Sequence, residues 1–200
     1  MGSELRRDLI DAPGSRNPLF LRTALDELRQ FGSFEQLPER VAYYLEADNP
    51  CDLFQRVLRR WQEDFDSNRD LTRRALSLLW AARMGLSESE WLDLLGDQGQ
   101  PLPRALWSPL FLAMEPHLAQ RGGLFAFGHD FLRQAVADKF IQSDSDQHDA
   151  HLVLADYFAN QSEMTSRKSD EWPWQLQEAG EWDRLQKVLL DLDLFLALYK

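Results

Sequence analysis

A single cysteine, Cys51, in 200 residues leaves no partner for an internal disulfide and no thiolate cluster for zinc. That scarcity fits a reducing, cytoplasmic setting, and nothing around Cys51 marks it as a nucleophile. No uninterrupted apolar run approaches the roughly 20 residues of a membrane-spanning helix, and the amino terminus lacks a signal-peptide core. Positive charge is also short. The 22 Lys and Arg against 33 Asp and Glu give a formal charge of −11, which opposes non-specific attraction to nucleic acid or an anionic membrane. Ser, His and Asp occur, but no nucleophile elbow surrounds them, so hydrolase chemistry is not expected.

What is present suffices for a packed core, since 44% of the residues are apolar. Residues 11–16 read as a loop, and Asn17-Pro18 opens a helix that carries Phe20, Ala24 and Leu28 on one face and stops near Gly32. A second helix follows Pro38, and a third runs from Pro50 to about Phe65 through Leu53, Phe54, Val57, Leu58 and Trp61. Helical spacing resumes over 71–84, closed by Gly85. Ser87 and Glu90 then form a capping-box pattern for a short helix to Leu95. A further helix is expected from Ser108-Pro109, bent or shortened by Pro116. Residues 143–149 read as an acidic linker or a helix start, 150–158 as helix and 161–171 as a polar loop. The tail reads as two short helices hinged at Gly180.

The most informative stretch lies between these helices. Gly122 and Gly123 suit the positive φ of a tight turn, residues 124–127 favour a strand, and helical spacing begins at Asp130. His129 therefore stands at a strand-to-helix corner. Free amides and the positive dipole end make such a corner suited to an anion, phosphate above all, with the imidazole as a further donor. Asp130 reads as the cap of the helix rather than as a ligand contact. Helices, a hairpin and another helix in this order make a winged-helix unit. The expected fold class is mainly α, with a helical domain over 1–66, a winged-helix domain with a short β-hairpin over 67–142, and a helical linker with the start of an α-helical repeat array over 143–200.

Two motifs within that order resemble the carboxy-terminal half of STAND-class signalling ATPases, particularly NACHT-type proteins with helical or WD repeats. The stretch from Arg16 through Asn17, Pro18, Leu19 and Phe20 to Leu21 resembles the start of that family's helical domain, whose proline packs on adenine. Gly128-His129-Asp130 resembles its winged-helix motif, whose histidine contacts the β-phosphate of ADP. Glycine at 128 departs from the methionine or other apolar residue that many members carry there. The resemblance implies Pro18 and His129 as nucleotide contacts and an ADP/ATP switch that needs Mg and an upstream P-loop domain, with no tight nucleotide binding expected of this chain alone. It also implies repeats downstream and oligomerisation of the longer protein. The chain itself has no G-x-x-x-x-G-K-[ST] loop, so it is not expected to be an enzyme alone.

Rival readings are weighed on the same residues. The order alone permits a DNA-binding winged helix, but the groove helix at 108–120 is mostly apolar and the wing offers only Arg121, so no nucleic-acid partner is expected. A protein–protein adaptor is the alternative function. His148 and His151 beside Asp144, Asp146 and Asp149 allow a metal site to be imagined, yet a solvated acidic face is the plainer reading and no metal is expected. Trp172, Trp174 and Trp182 are expected to pack between repeat helices, with residues 192–199 exposed.

Overall fold

A computed structural model describes residues 3–30, 36–66, 69–191, 194 and 196. Eleven helices, α1 to α11, and one hairpin account for the regular structure of those residues. The first four helices are α1 (Ser3–Asp11), α2 (Pro18–Gln30), α3 (Leu37–Leu45) and α4 (Pro50–Phe65). The loop expected at 11–16 is largely a 3-10 turn, Pro13–Arg16, and α1 was not foreseen. Gly32, the expected stop of α2, lies outside the described residues. Asparagine caps set the starts of α2, as expected at Asn17-Pro18, and of α4, where the cap Asn49 was not foreseen. Asn17 Oδ1 accepts from the Leu19 amide at 2.9 Å, and the Asn49 side chain accepts from the Asp52 amide at 3.0 Å.

Then follow α5 (Leu71–Ala81), α6 (Glu88–Leu95), α7 (Arg104–Met114), the hairpin strands β1 (Leu118–Arg121) and β2 (Leu124–Phe127), and α8 (Asp130–Phe140). The capping box forms, with the Glu90 amide donating to Ser87 Oγ at 3.2 Å and the Ser87 amide to Glu90 Oε2 at 2.7 Å. Helix α5 ends three residues before Met84 because Ala82 turns extended, at ψ 130°. Helix α7 begins at Arg104 rather than Ser108 and holds Pro109 inside it. The expected groove helix ends at Met114, and part of its span is strand β1. Pro116 does shorten it, through the 3-10 turn Glu115–His117.

The hairpin is antiparallel, Leu118 facing Phe127 and Arg121 facing Leu124. Gly122 and Gly123 close it at φ 57° and 83°, both in the left-handed region that a two-residue turn of this twist requires. Trp91, Trp107, Phe111 and Phe125 form one aromatic cluster with centroids 5.2 to 6.4 Å apart, which fastens β2 onto α6 and α7. Trp91 and Trp107 are fully buried, worth about 4–6 kcal/mol each in transfer free energy before entropy is counted. The Leu86 amide donates to the Phe125 carbonyl at 2.9 Å and the Phe125 amide returns the bond at 2.8 Å, tying the α5–α6 connection to the hairpin.

Helix α4 lies at the centre, its buried Leu53, Phe54, Val57, Leu58 and Trp61 packed between α2 and α8. One continuous core runs from Leu9 to Leu154. The last helices are α9 (Asp144–Ala159), α10 (Ser166–Glu178) and α11 (Trp182–Leu189). Ser143 caps α9 in a second capping box, so the acidic segment is a helix start and not a linker. The polar loop expected over 161–171 is helix from Ser166, because Thr165 caps it and its polar side chains find buried partners. Glu171 is fully buried and accepts from the Met84 amide at 3.0 Å and from Arg167 Nη1 at 2.7 Å. Gly180, at φ 72°, makes the expected hinge. Trp182 is 64% exposed rather than packed, whereas Leu194, expected at a bare end, is buried with Ala155, Leu176 and Val188.

Candidate functional site

The strand-to-helix corner opens on a cleft of about 190 Å³ between α2 and the hairpin. Leu19, Arg22, Thr23 and Asp26 supply one wall, Pro116 to Ala119 with Gly128 and His129 the other, and Phe54 of α4 also lines it. His129 is exposed, caps α8 at φ −154° without a side-chain hydrogen bond, and stacks on Phe131 with centroids 5.5 Å apart and planes at 14°. Asp130 is the first residue of α8 and not its cap, a correction to the sequence reading. Pro18 is exposed at the first position of α2 and does not line the cleft, although its neighbour Leu19 does. Asn17 already holds the first amides of α2, so the uncapped start of α8 is the better anion donor.

Residues that sequence reasoning missed stand directly behind this cleft. His117 lines it, and its Nε2 lies 3.4 Å from Glu27 Oε1. The other Glu27 oxygen accepts from Arg60 Nε at 2.8 Å and from the Tyr44 hydroxyl at 3.1 Å. Burial first, then the Glu27 charge, pushes the Tyr44 hydroxyl above its ordinary pKa. Burial works against the Arg60 charge, but Glu27, Tyr44 and Asp64 more than offset it and raise the guanidinium pKa. Edge-on contact with Phe54 at 5.6 Å and a tilted one with Trp61 at 5.8 Å hold the His117 ring. The signal in the sequence was Glu27 itself, placed on the same helical face as the core residues Phe20, Thr23 and Ala24.

The histidines weighed for metal do other work. His148 Nδ1 lies 2.8 Å from the Ala179 carbonyl, and His151 Nδ1 lies 2.7 Å from Gln175 Oε1. His151 is buried rather than on a solvated face, between Trp80 at 5.7 Å and Trp174 at 5.4 Å. Burial lowers its pKa, more than Gln175 and the nearby Glu178 and Glu171 raise it. Among the described residues, no group of three or more His, Cys, Asp and Glu side chains converges as a metal cage. None of the described helices is long and apolar enough to cross a membrane.

Comparison with known proteins places this chain beside repeat proteins. It is 31% identical over 184 residues to a TPR repeat-containing protein of Dictyostelium discoideum, covering 92% of this chain and 11% of that protein. It is 25% identical over 205 residues to tetratricopeptide repeat protein 41 of Rattus norvegicus, covering 84% of this chain and 16% of the relative. Nephrocystin-3 of Homo sapiens is 26% identical over 196 residues, covering 92% of this chain and 14% of the relative. No family model and no solved structure matches the chain. The chain thus spans at most 16% of the length of these three relatives. Two of the three names carry tetratricopeptide repeats, which agrees with a mostly helical chain; none names a signalling ATPase.

Proposed function

We propose that the chain is a protein-interaction segment of a longer helical-repeat protein. In this reading the block from α1 to α8 is a scaffold, with a winged-helix unit as its second part, and α9 to α11 extend from it as a seat for further helices. The observation that carries it is α11. Its Val188 is buried, while Trp182, Leu189 and Leu190 are 64%, 58% and 77% exposed, an apolar surface that a following helix pair would cover. The tetratricopeptide names of two relatives support the same partner class. Hydrogen exchange on the native gene product and on this 200-residue chain tests it. Slower exchange of the α11 amides in the native product is the expected result, and identical exchange overturns the reading.

A second reading is favoured by the cleft. His129 and the start of α2 wall one cavity, as a nucleotide lying between a helical domain and a winged helix requires. Here the chain would be the ADP-sensing part of a STAND-type switch, with no catalysis of its own, and an upstream P-loop domain would supply Mg and the phosphate cradle. ADP would favour the closed state only through contacts absent from the open one, and His129 is such a contact. The intact mass of the native product and the reading frame upstream of Met1 decide it. A P-loop upstream supports the switch; a native chain that starts at Met1 removes it and leaves the interaction segment.

A further inference from the structure

We propose that His117 is a second imidazole contact for a phosphate-class anion in the α2–hairpin cleft, with Glu27 as the positioning residue that sets its ring. The proposal rests on the nucleotide reading of that cleft. His117 comes from the 3-10 turn before β1, a different corner from His129, yet the Gly128 amide donates to the His117 carbonyl at 2.9 Å and fixes the two corners to each other. Its side chain is only 4% exposed while the residue lines the same cavity as His129.

A buried imidazole with one nitrogen engaged leaves the other to be satisfied. Glu27 meets Nε2, and among the described residues nothing engages Nδ1. A carboxylate that accepts from Nε2–H favours one tautomer and leaves Nδ1 for an occupant, the arrangement by which carboxylates orient histidine ligands elsewhere. In the proposed contact the ring bridges Glu27 and a phosphate oxygen, Nε2 meeting the carboxylate and Nδ1 the phosphate. The Glu27 charge does not oppose this, since Arg60 Nη2 stands 2.7 Å from Oε2. At the rim Arg22 adds a cation, shared with Asp26 at 3.6 Å.

The test follows the ring signals of the four histidines by long-range nitrogen–proton correlation while the chain is titrated with inorganic pyrophosphate. Saturable movement of His117 together with His129, with His148 and His151 still, is the expected result. Movement of His129 alone, or of neither histidine, overturns the role of His117; neither outcome touches the nucleotide reading, which needs the phosphate cradle of an upstream domain and stands or falls on the native product. Equal movement of all four means unspecific anion binding and also overturns the proposal. His117→Asn is expected to weaken pyrophosphate at least about tenfold with the His129 response retained. In Glu27→Gln, which keeps an acceptor, His117 is expected to stay the Nε2–H tautomer; in Glu27→Ala it loses that preference, and an unchanged tautomer there overturns the positioning role.

Discussion

Arg60 meets a single oxygen of Glu27, Oε2, across the α2–α4 interface: Nε donates to it at 2.8 Å, and Nη2 lies 2.7 Å away as an ion-pair contact without hydrogen-bond geometry. Both side chains are nearly inaccessible, at 7% and 0% exposure, so removing Arg60 leaves Glu27 without its guanidinium, and removing Glu27 leaves Arg60 only its contact with the half-exposed Asp64 at 2.9 Å. Glu27→Ala should therefore cost about 3–5 kcal/mol in urea denaturation. The paired replacement Glu27→Leu with Arg60→Met should lose clearly less than either single change, because it removes both desolvation costs at once. Additive losses would refute this account.

Glu171 plays the matching part on α10. Besides Arg167 and the Met84 amide, it accepts from Gln175 Nε2 at 2.8 Å and from the Arg83 amide at 3.3 Å. Arg167 also reaches the Gly85 carbonyl at 2.6 Å and Glu90 Oε1 at 2.9 Å, so α10 is clamped to the α5–α6 connection. Glu171→Ala should speed hydrogen exchange at Arg83 and Met84 while the α4 amides keep their protection. Exchange unchanged at those two amides would show that the clamp does not hold the turn.

The burial of His151 makes the α9–α10 interface sensitive to acid. Its folded pKa is lowered from 6.5, chiefly by desolvation, so the unfolded chain takes up the proton first. Stability from this group is complete above that unfolded value and falls as pH drops below it, until the folded ring also protonates. Facing groups are Gln175, Glu171 and Glu178 on α10, Arg133 on α8, and Trp80 on α5, over whose ring the Arg133 guanidinium lies at 5.3 Å. Urea midpoints at pH values above and below 6.5 should converge for wild type and His151→Gln as pH falls. A gap that stays constant with pH would rule out this titration.

Local rules were legible where one residue type decides the backbone. Asn17 opens α2 and Ser87 caps α6 as their spacing predicts, and the Gly122-Gly123 turn has the positive φ that its sequence demands. Helix α10 was not legible, because residues 161–171 are polar on any scale. What makes part of that stretch helical is long range: Glu171 meets Arg83 and Met84, and the buried Lys168 ammonium meets the Ala159 and Gln161 carbonyls at 3.2 and 2.6 Å. Of the cleft, His129 could be read from its corner, since strand and turn signals flank it. His117 could not, because its meaning comes from Glu27, 90 positions away in the chain.

Gly128 connects these observations to a substitution. A Cβ there would lie 2.7 Å from the His117 carbonyl oxygen, and that oxygen belongs to backbone that also accepts from the Gly128 amide at 2.9 Å. The apolar side chain that the STAND resemblance would place at 128 has no room in this fold, so glycine follows from the close approach of the two corners. Gly128→Ala must open the 117–128 contact, at about 1–3 kcal/mol. The amide at position 128 should then exchange faster, and the ring signals of His117 and His129 should both move in the absence of any ligand, because the two corners lose their shared bond. Gly122→Ala is the control: it meets nothing within 4 Å and pays only for its φ of +57°, so its effect should stay in the hairpin turn. If both variants leave the two histidine signals in place, the corners are held by something other than this bond.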